Sequence, residues 1–130
     1  MADKPTPRPT DAELAILRVL WERGPRTVRE VHDELLSRSH DTGYTTILKL
    51  LQIMTDKGLV VRDESQRAHV YSTRYSEQRT QRQLLGDLIE RAFGGSPAKL
   101  VMQALSGTQA TADELNAIRS LLDQMEGEVK

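Results

Sequence analysis

Cysteine is absent from the 130-residue chain. That rules out disulfides, thiolate metal ligands and thiol nucleophiles. Aromatic side chains are scarce, with one Trp, one Phe and three Tyr. A core must therefore be assembled from Leu, Ile, Val, Ala and Met, a set that suits packed helices. No apolar run approaches the ~20 residues that cross a bilayer, so no membrane insertion is expected. The opening stretch Met1–Pro5 lacks the apolar segment of a secretory signal, which makes a cytoplasmic location the expectation.

A surplus of one charge is also missing. The chain has 18 Lys+Arg against 19 Asp+Glu, a net charge of −1. Through Tyr75 the balance is 12 to 11, and after it 6 to 8. Nucleic-acid-binding domains usually carry a clear positive bias, so any such surface here must be a local patch. The catalytic inventory is thin as well. The histidines are His32, His40 and His69, and there is no Gly-rich phosphate loop, His-x-x-x-His pair or acid pair at useful spacing. No catalytic residue, metal site or cofactor is expected, and the chain does not read as an enzyme.

What the chain does contain is a succession of helix starts. Residues 1–9 hold three prolines and no periodicity, and are expected to form a disordered arm. Thr10 with Glu13 fits a capping box ahead of Leu14, Leu17, Val19, Leu20 and Trp21, and Gly24-Pro25 stops that helix. Thr27 with Glu30 repeats the signal before Val28, Val31, Leu35 and Leu36. The polar stretch Ser37–Gly43 breaks it. A third helix is predicted over Tyr44–Lys57, with Ile47, Leu50, Leu51 and Met54 at the i, i+3, i+4, i+7 spacing and Gly58 following its end.

The period then changes. Leu59–Val61 and His69–Thr73 are β-prone runs around the polar turn Asp63–Gln66, which predicts a hairpin. Three short helices and a hairpin outline a winged helix-turn-helix over residues 10–75. Helices are expected again over about 77–93, over Ala98–Leu105 after Ser96-Pro97, and from the Thr111/Glu114 capping box onward. The fold class is thus mainly α with a small β-hairpin: an N-terminal winged helix-turn-helix followed by a C-terminal helical dimerisation domain over residues 76–130.

Two considerations make the second half a pairing module. About 50 residues bury too little surface to be stable alone. The apolar positions Leu84, Leu85, Leu88, Ile89, Phe93, Leu100, Val101, Leu105, Leu115, Ile118, Leu121, Leu122 and Met125 also form stripes suited to helix-on-helix burial, so a homodimer is expected. The same stripes fit an ordinary intrachain core, and sedimentation separates the two.

With Ile47, Leu50, Leu51 and Met54 facing inward, Thr45, Thr46 and Lys49 stand on the outer side of the third helix, next to Tyr44. That end of a reading helix enters the major groove of double-stranded DNA, where hydroxyls and an ammonium meet base edges or phosphates. Arg26 and Arg29 near the second helix, and Arg62, Arg67, His69 and Arg74 on the wing, are candidate phosphate contacts. These supply affinity and register without sequence information. Use of the fold as a protein-binding scaffold without DNA is the alternative; salt-sensitive binding to a palindromic duplex discriminates.

The segments Thr10–Leu14 (TDAEL), Val19–Pro25 (VLWERGP), Thr27–Val31 (TVREV), Tyr44–Ile47 (YTTI) and Lys57–Val60 (KGLV), in this order and spacing, resemble the penicillinase-repressor (BlaI/MecI/CopY) family over roughly Pro9 to Met125. The resemblance implies a dimeric winged-helix repressor of palindromic operators. It puts Thr45, Thr46 and Lys49 on base- and phosphate-contacting positions and Trp21 in the core. Copper-sensing members carry a C-terminal cysteine cluster, which this chain lacks. In members linked to β-lactam resistance a membrane sensor metalloprotease cuts an Asn-Phe bond. The matching bond here is Gln103-Ala104, within Leu100–Leu105 (LVMQAL), so such a protease is an implied partner with altered specificity.

Overall fold

All three Thr-x-x-Glu starts close as reciprocal caps. The computed structural model describes residues 7–107 and 109–129; residues 1–6, most of the expected arm, lie outside that range. At Thr10 the hydroxyl accepts from the Glu13 amide at 3.2 Å and the Glu13 carboxylate accepts from the Thr10 amide at 2.8 Å. Thr27 with Glu30, and Thr111 with Glu114, repeat the pattern. Each cap satisfies amides that a helix start leaves unpaired.

Helix α1 spans Asp11–Arg23 and ends at Gly24, whose φ of 83° a side chain rarely tolerates. A two-residue strand β1 (Arg26–Thr27) precedes helix α2 (Val28–Ser37). Helix α3 covers Tyr44–Lys57, the range its periodicity predicts, and closes on Gly58 in the left-handed region at φ 80°. Strands β2 (Val60–Asp63) and β3 (Val70–Thr73) form the hairpin, in the register Val60 to Thr73 and Asp63 to Val70. The sheet has three strands, because β1 adds to β3, Arg26 facing Tyr71 and Thr27 facing Val70. Its order is β1-β3-β2, all antiparallel. Thr27 belongs to β1 and also caps α2.

The thirteen buried apolar residues all lie between Ile16 and Tyr71. Ile16, Leu17, Val19 and Leu20 of α1 meet Val28, Val31 and Leu35 of α2 and Ile47, Leu51 and Met54 of α3, with Leu59, Val60 and Tyr71 closing the side toward the sheet. Full burial of each such side chain contributes roughly 1.5–3 kcal/mol. Trp21 packs against this cluster and donates from Nε1 to the Tyr75 carbonyl at 3.0 Å. Leu36 of α2, unlike Val28, Val31 and Leu35, is 45% exposed.

Helix α4 runs from Glu77 to Ala92, α5 from Pro97 to Gly107 and α6 from Ala112 to Val129. The chain divides into two compact units at Gly86–Asp87. The boundary expected at residues 75–76 falls just ahead of α4. Thr80, in the first half of α4, is only 3% exposed. Among the described residues, none after Thr80 is buried. No described helix is long and apolar enough to cross a membrane.

Candidate nucleic-acid interface

The start of α3 differs from those of its neighbours. Its N-cap is Gly43, with no side-chain cap and no acidic residue in the first turn. The amides at this end keep their partial positive charge with no acidic residue in the same turn to absorb it, an arrangement suited to an anion such as phosphate. Tyr44, Thr45, Thr46 and Lys49 are all exposed around this turn, while Ile47, Leu51 and Met54 are completely buried on the other face.

Tyr44 is held from α2. The Arg29 guanidinium lies 5.7 Å from the centre of its ring, and the His32 imidazole sits edge-on, with centroids 6.1 Å apart and planes at 70°. His32 Nδ1 is 3.5 Å from a carboxylate oxygen of Asp33. Tyr44 and Arg29 also line an open groove of about 420 Å³ with Thr27, Val28, Leu48, Tyr71 and the hairpin residues Arg67, Ala68 and His69. The groove therefore brings together four sequence-predicted contacts, Arg29, Tyr44, Arg67 and His69, from α2, α3 and the hairpin. The part of His32 escaped the sequence reading. The available signal was its i, i+3 spacing from Arg29, which places both on one helix face.

The remaining arginines are arranged differently. Arg62 pairs with Glu64 at 2.6 Å. A hydrogen bond with Tyr71 and the neighbouring Glu64 carboxylate hold its guanidinium above its ordinary pKa, so its charge is balanced within the hairpin. Arg26 is half-buried and donates to the Pro25 carbonyl at 2.8 Å. Arg74 follows the end of β3, and its amide donates to the Leu59 carbonyl. Its guanidinium stacks 5.7 Å from the centre of the Tyr75 ring and lies beside Gly58, at the end of α3 opposite Tyr44. The structure does not bring Arg74 to the groove.

Several acids of the first unit are engaged by other cations. Glu34 takes Arg23 at 3.0 Å and Arg38 at 3.1 Å, and Arg38 reaches Glu22 at 2.6 Å. Glu13, 1% exposed, takes Lys57 at 2.6 Å, and the same ammonium donates to the Arg8 carbonyl. Burial alone would push the Glu13 carboxyl up. The Lys57 ammonium and the Thr10 capping bonds outweigh it and hold the group below the ordinary value of 4.5. Among the described residues, no carboxylate lies in ion-pair range of Arg29, Lys49 or Arg67. A chain with net charge −1 thereby presents a local basic face.

The residues expected to pair two chains fall into two groups. Leu88, Val101, Leu105, Leu115, Leu121, Leu122 and Met125 are exposed, and Met102, absent from the expected set, is the most exposed of all at 66%. Ile89, Phe93, Leu100 and Ile118 are half-buried. Leu84 belongs to the first unit, where it lines a groove with Leu14 and Trp21 of α1; Leu85 is in the same unit and is exposed. Gln103 and Ala104 are exposed and lie inside α5. Among the described residues no His/Asp/Glu cluster suits a metal ion.

The family model described as "Penicillinase repressor" matches residues 9–124. A transcriptional regulator BlaI of Mycobacterium tuberculosis is 35% identical over 119 residues, covering 89% of this chain and 83% of that protein. A penicillinase repressor of Bacillus licheniformis is 25% identical over 121 residues, covering 93% and 94% of the two chains. Among solved structures, the solution structure of the DNA-binding domain of the repressor BlaI superposes with a TM-score of 0.50 at 29% identity, over 58% of this chain and 90% of that one.

Proposed function

Since the chain belongs to the penicillinase repressor family, we propose that it is a DNA-binding transcriptional repressor that works in the cytoplasm as a homodimer on a palindromic operator. The observation that carries this is the uncapped, acid-free first turn of α3, with Tyr44, Thr45, Thr46 and Lys49 exposed around it and Arg29, Arg67 and His69 across the adjoining groove. In this reading α3 enters the major groove. Thr45 and Thr46 meet base edges through hydroxyl and methyl, Lys49 meets a guanine edge or a phosphate, and the basic groove follows the sugar-phosphate strand beside them.

Pairing is the second part of the proposal. Leu88, Val101, Met102, Leu105, Leu115, Leu121, Leu122 and Met125 are 38–66% exposed in the single chain. Apolar stripes of this extent on α4, α5 and α6 call for a partner surface, and a second copy supplies the same surface by two-fold symmetry. Relief of repression by a membrane sensor metalloprotease belongs to the same proposal. The Gln103-Ala104 bond lies in α5, next to the exposed Met102 and Leu105. Cutting there would separate Leu105 and all of α6 from the rest of the pairing surface, and with them would go the gain from joined half-sites.

The test is selection of duplexes from a random pool, followed by binding measured against salt. Recovery of a palindrome, with an affinity that falls steeply as salt rises, is the expected outcome. Failure to enrich any duplex would overturn the proposal.

A further inference from the structure

The two helices that precede α3 start on capping boxes at Thr10 and Thr27. Helix α3 starts on Gly43 with no side-chain cap, yet its first turn carries Tyr44, Thr45 and Thr46. A Gly N-cap is only a few tenths of a kcal/mol poorer than a side-chain cap, so this turn is slightly more prone to fray than the other two. A free Asp, Ser or Thr cap would conflict with its task, because the capping oxygen occupies the amides that a phosphate would use.

Ile47 anchors this turn in the core, and the ring and cation contacts on its exposed side come from α2: the Arg29 guanidinium 5.7 Å from the Tyr44 ring centre, and the His32 ring edge-on at 6.1 Å. His32 is itself held. Its side chain is 20% exposed, and Nδ1 lies 3.5 Å from Asp33. Tyr44 is 42% exposed. A semi-buried imidazole thus supports one edge of an exposed ring and leaves the rest of that ring facing the groove shared with Arg67 and His69.

We infer that His32 is a positioning residue for DNA recognition: acting through Tyr44, and together with Arg29, it reinforces the exposed side of the uncapped first turn of α3 while leaving the helix amides open to a phosphate. This rests on the reading of α3 as the groove-entering helix. Edge-on aromatic pairs and cation-over-ring contacts are the interactions used. His32 itself need not touch DNA.

The experiment is a double-mutant cycle on the full chain, using the duplex that the parent selects from a random pool. His32→Ala is expected to weaken binding about 3- to 10-fold with little change in the melting temperature. In a Tyr44→Ala background the same change is expected to have no further effect, since its route is gone. His32→Phe keeps the ring edge, drops the Asp33 contact and is expected to restore most of the loss. The second readout needs no DNA. The Ile47 amide donates to the Gly43 carbonyl and closes the first turn, so its hydrogen exchange is expected to quicken in His32→Ala and recover in His32→Phe. Additive losses in the cycle, or unchanged exchange at Ile47, would overturn the inference. If no duplex is selected while exchange responds as described, the positioning stands and the operator proposal falls.

Discussion

The unit ending at Gly86 and the unit beginning at Asp87 are built from similar amphipathic helices, with opposite outcomes. In the first, stripes from α1, α2 and α3 find one another and the sheet, and thirteen apolar side chains are buried. In the second, stripes of the same kind on α5 and α6 leave Leu121, Leu122 and Met125 at least half exposed. The difference is one of geometry rather than composition. Three short helices crossing over a three-stranded sheet enclose a volume, whereas a few helices without a sheet offer faces. An apolar stripe records that burial is required; the chain's topology decides whether it is met within one copy.

Four variants break or sharpen this contrast. The largest effect is expected from Leu121→Asp combined with Leu122→Asp. By symmetry each leucine is lost twice from a paired surface, at roughly 1.5–3 kcal/mol each, so dimerisation should weaken on the order of a thousandfold or more. Sedimentation should show monomer, and the melting of the first unit should not move. Leu51→Ala is expected to do the reverse. Leu51 is fully buried, and the cavity should cost about 2–5 kcal/mol in urea unfolding, independently of protein concentration.

Lys57→Met comes next. It removes the ammonium from a carboxylate with 1% exposure and should cost about 1–3 kcal/mol, less than a fully buried pair because Lys57 is itself 31% exposed. The pH dependence carries a sign. Glu13 is held below 4.5 in the fold, so its contribution is complete above that value and is lost as pH falls through the lowered one. Melting curves between neutral pH and acid should therefore converge for parent and Lys57→Met at the acid end. The smallest change is Lys49→Ala. It should leave both melting and dimerisation alone while lowering the slope of log affinity against log salt by about one, if the ammonium meets a phosphate; an unchanged slope and affinity would remove Lys49 from the interface.

Periodicity and punctuation made most of this architecture legible. Tyr44–Lys57 carries both a 3.6-residue stripe and a terminal glycine, and its ends are where those signals place them. Strand β1 was not legible, because two residues have no period and Arg26–Thr27 is a strand only by virtue of β3 beside it. Where one unit gives way to the next was hard to read, because the polar residues that open α4 are also what a solvated helix face shows. Among the candidate contacts, Arg29, Tyr44, Arg67 and His69 converge because their elements do. Arg74 does not, since proximity in sequence to the hairpin says nothing about which end of it a residue occupies. Arg62 was offset by Glu64, two residues away, a pairing that only the turn geometry reveals.

Thr27 serves two masters. Its backbone sits opposite Val70 in the sheet while its hydroxyl closes the front of α2, so the hairpin and the helix bearing Arg29 share a single rivet. Any shift of β3 is therefore felt at the cap of α2.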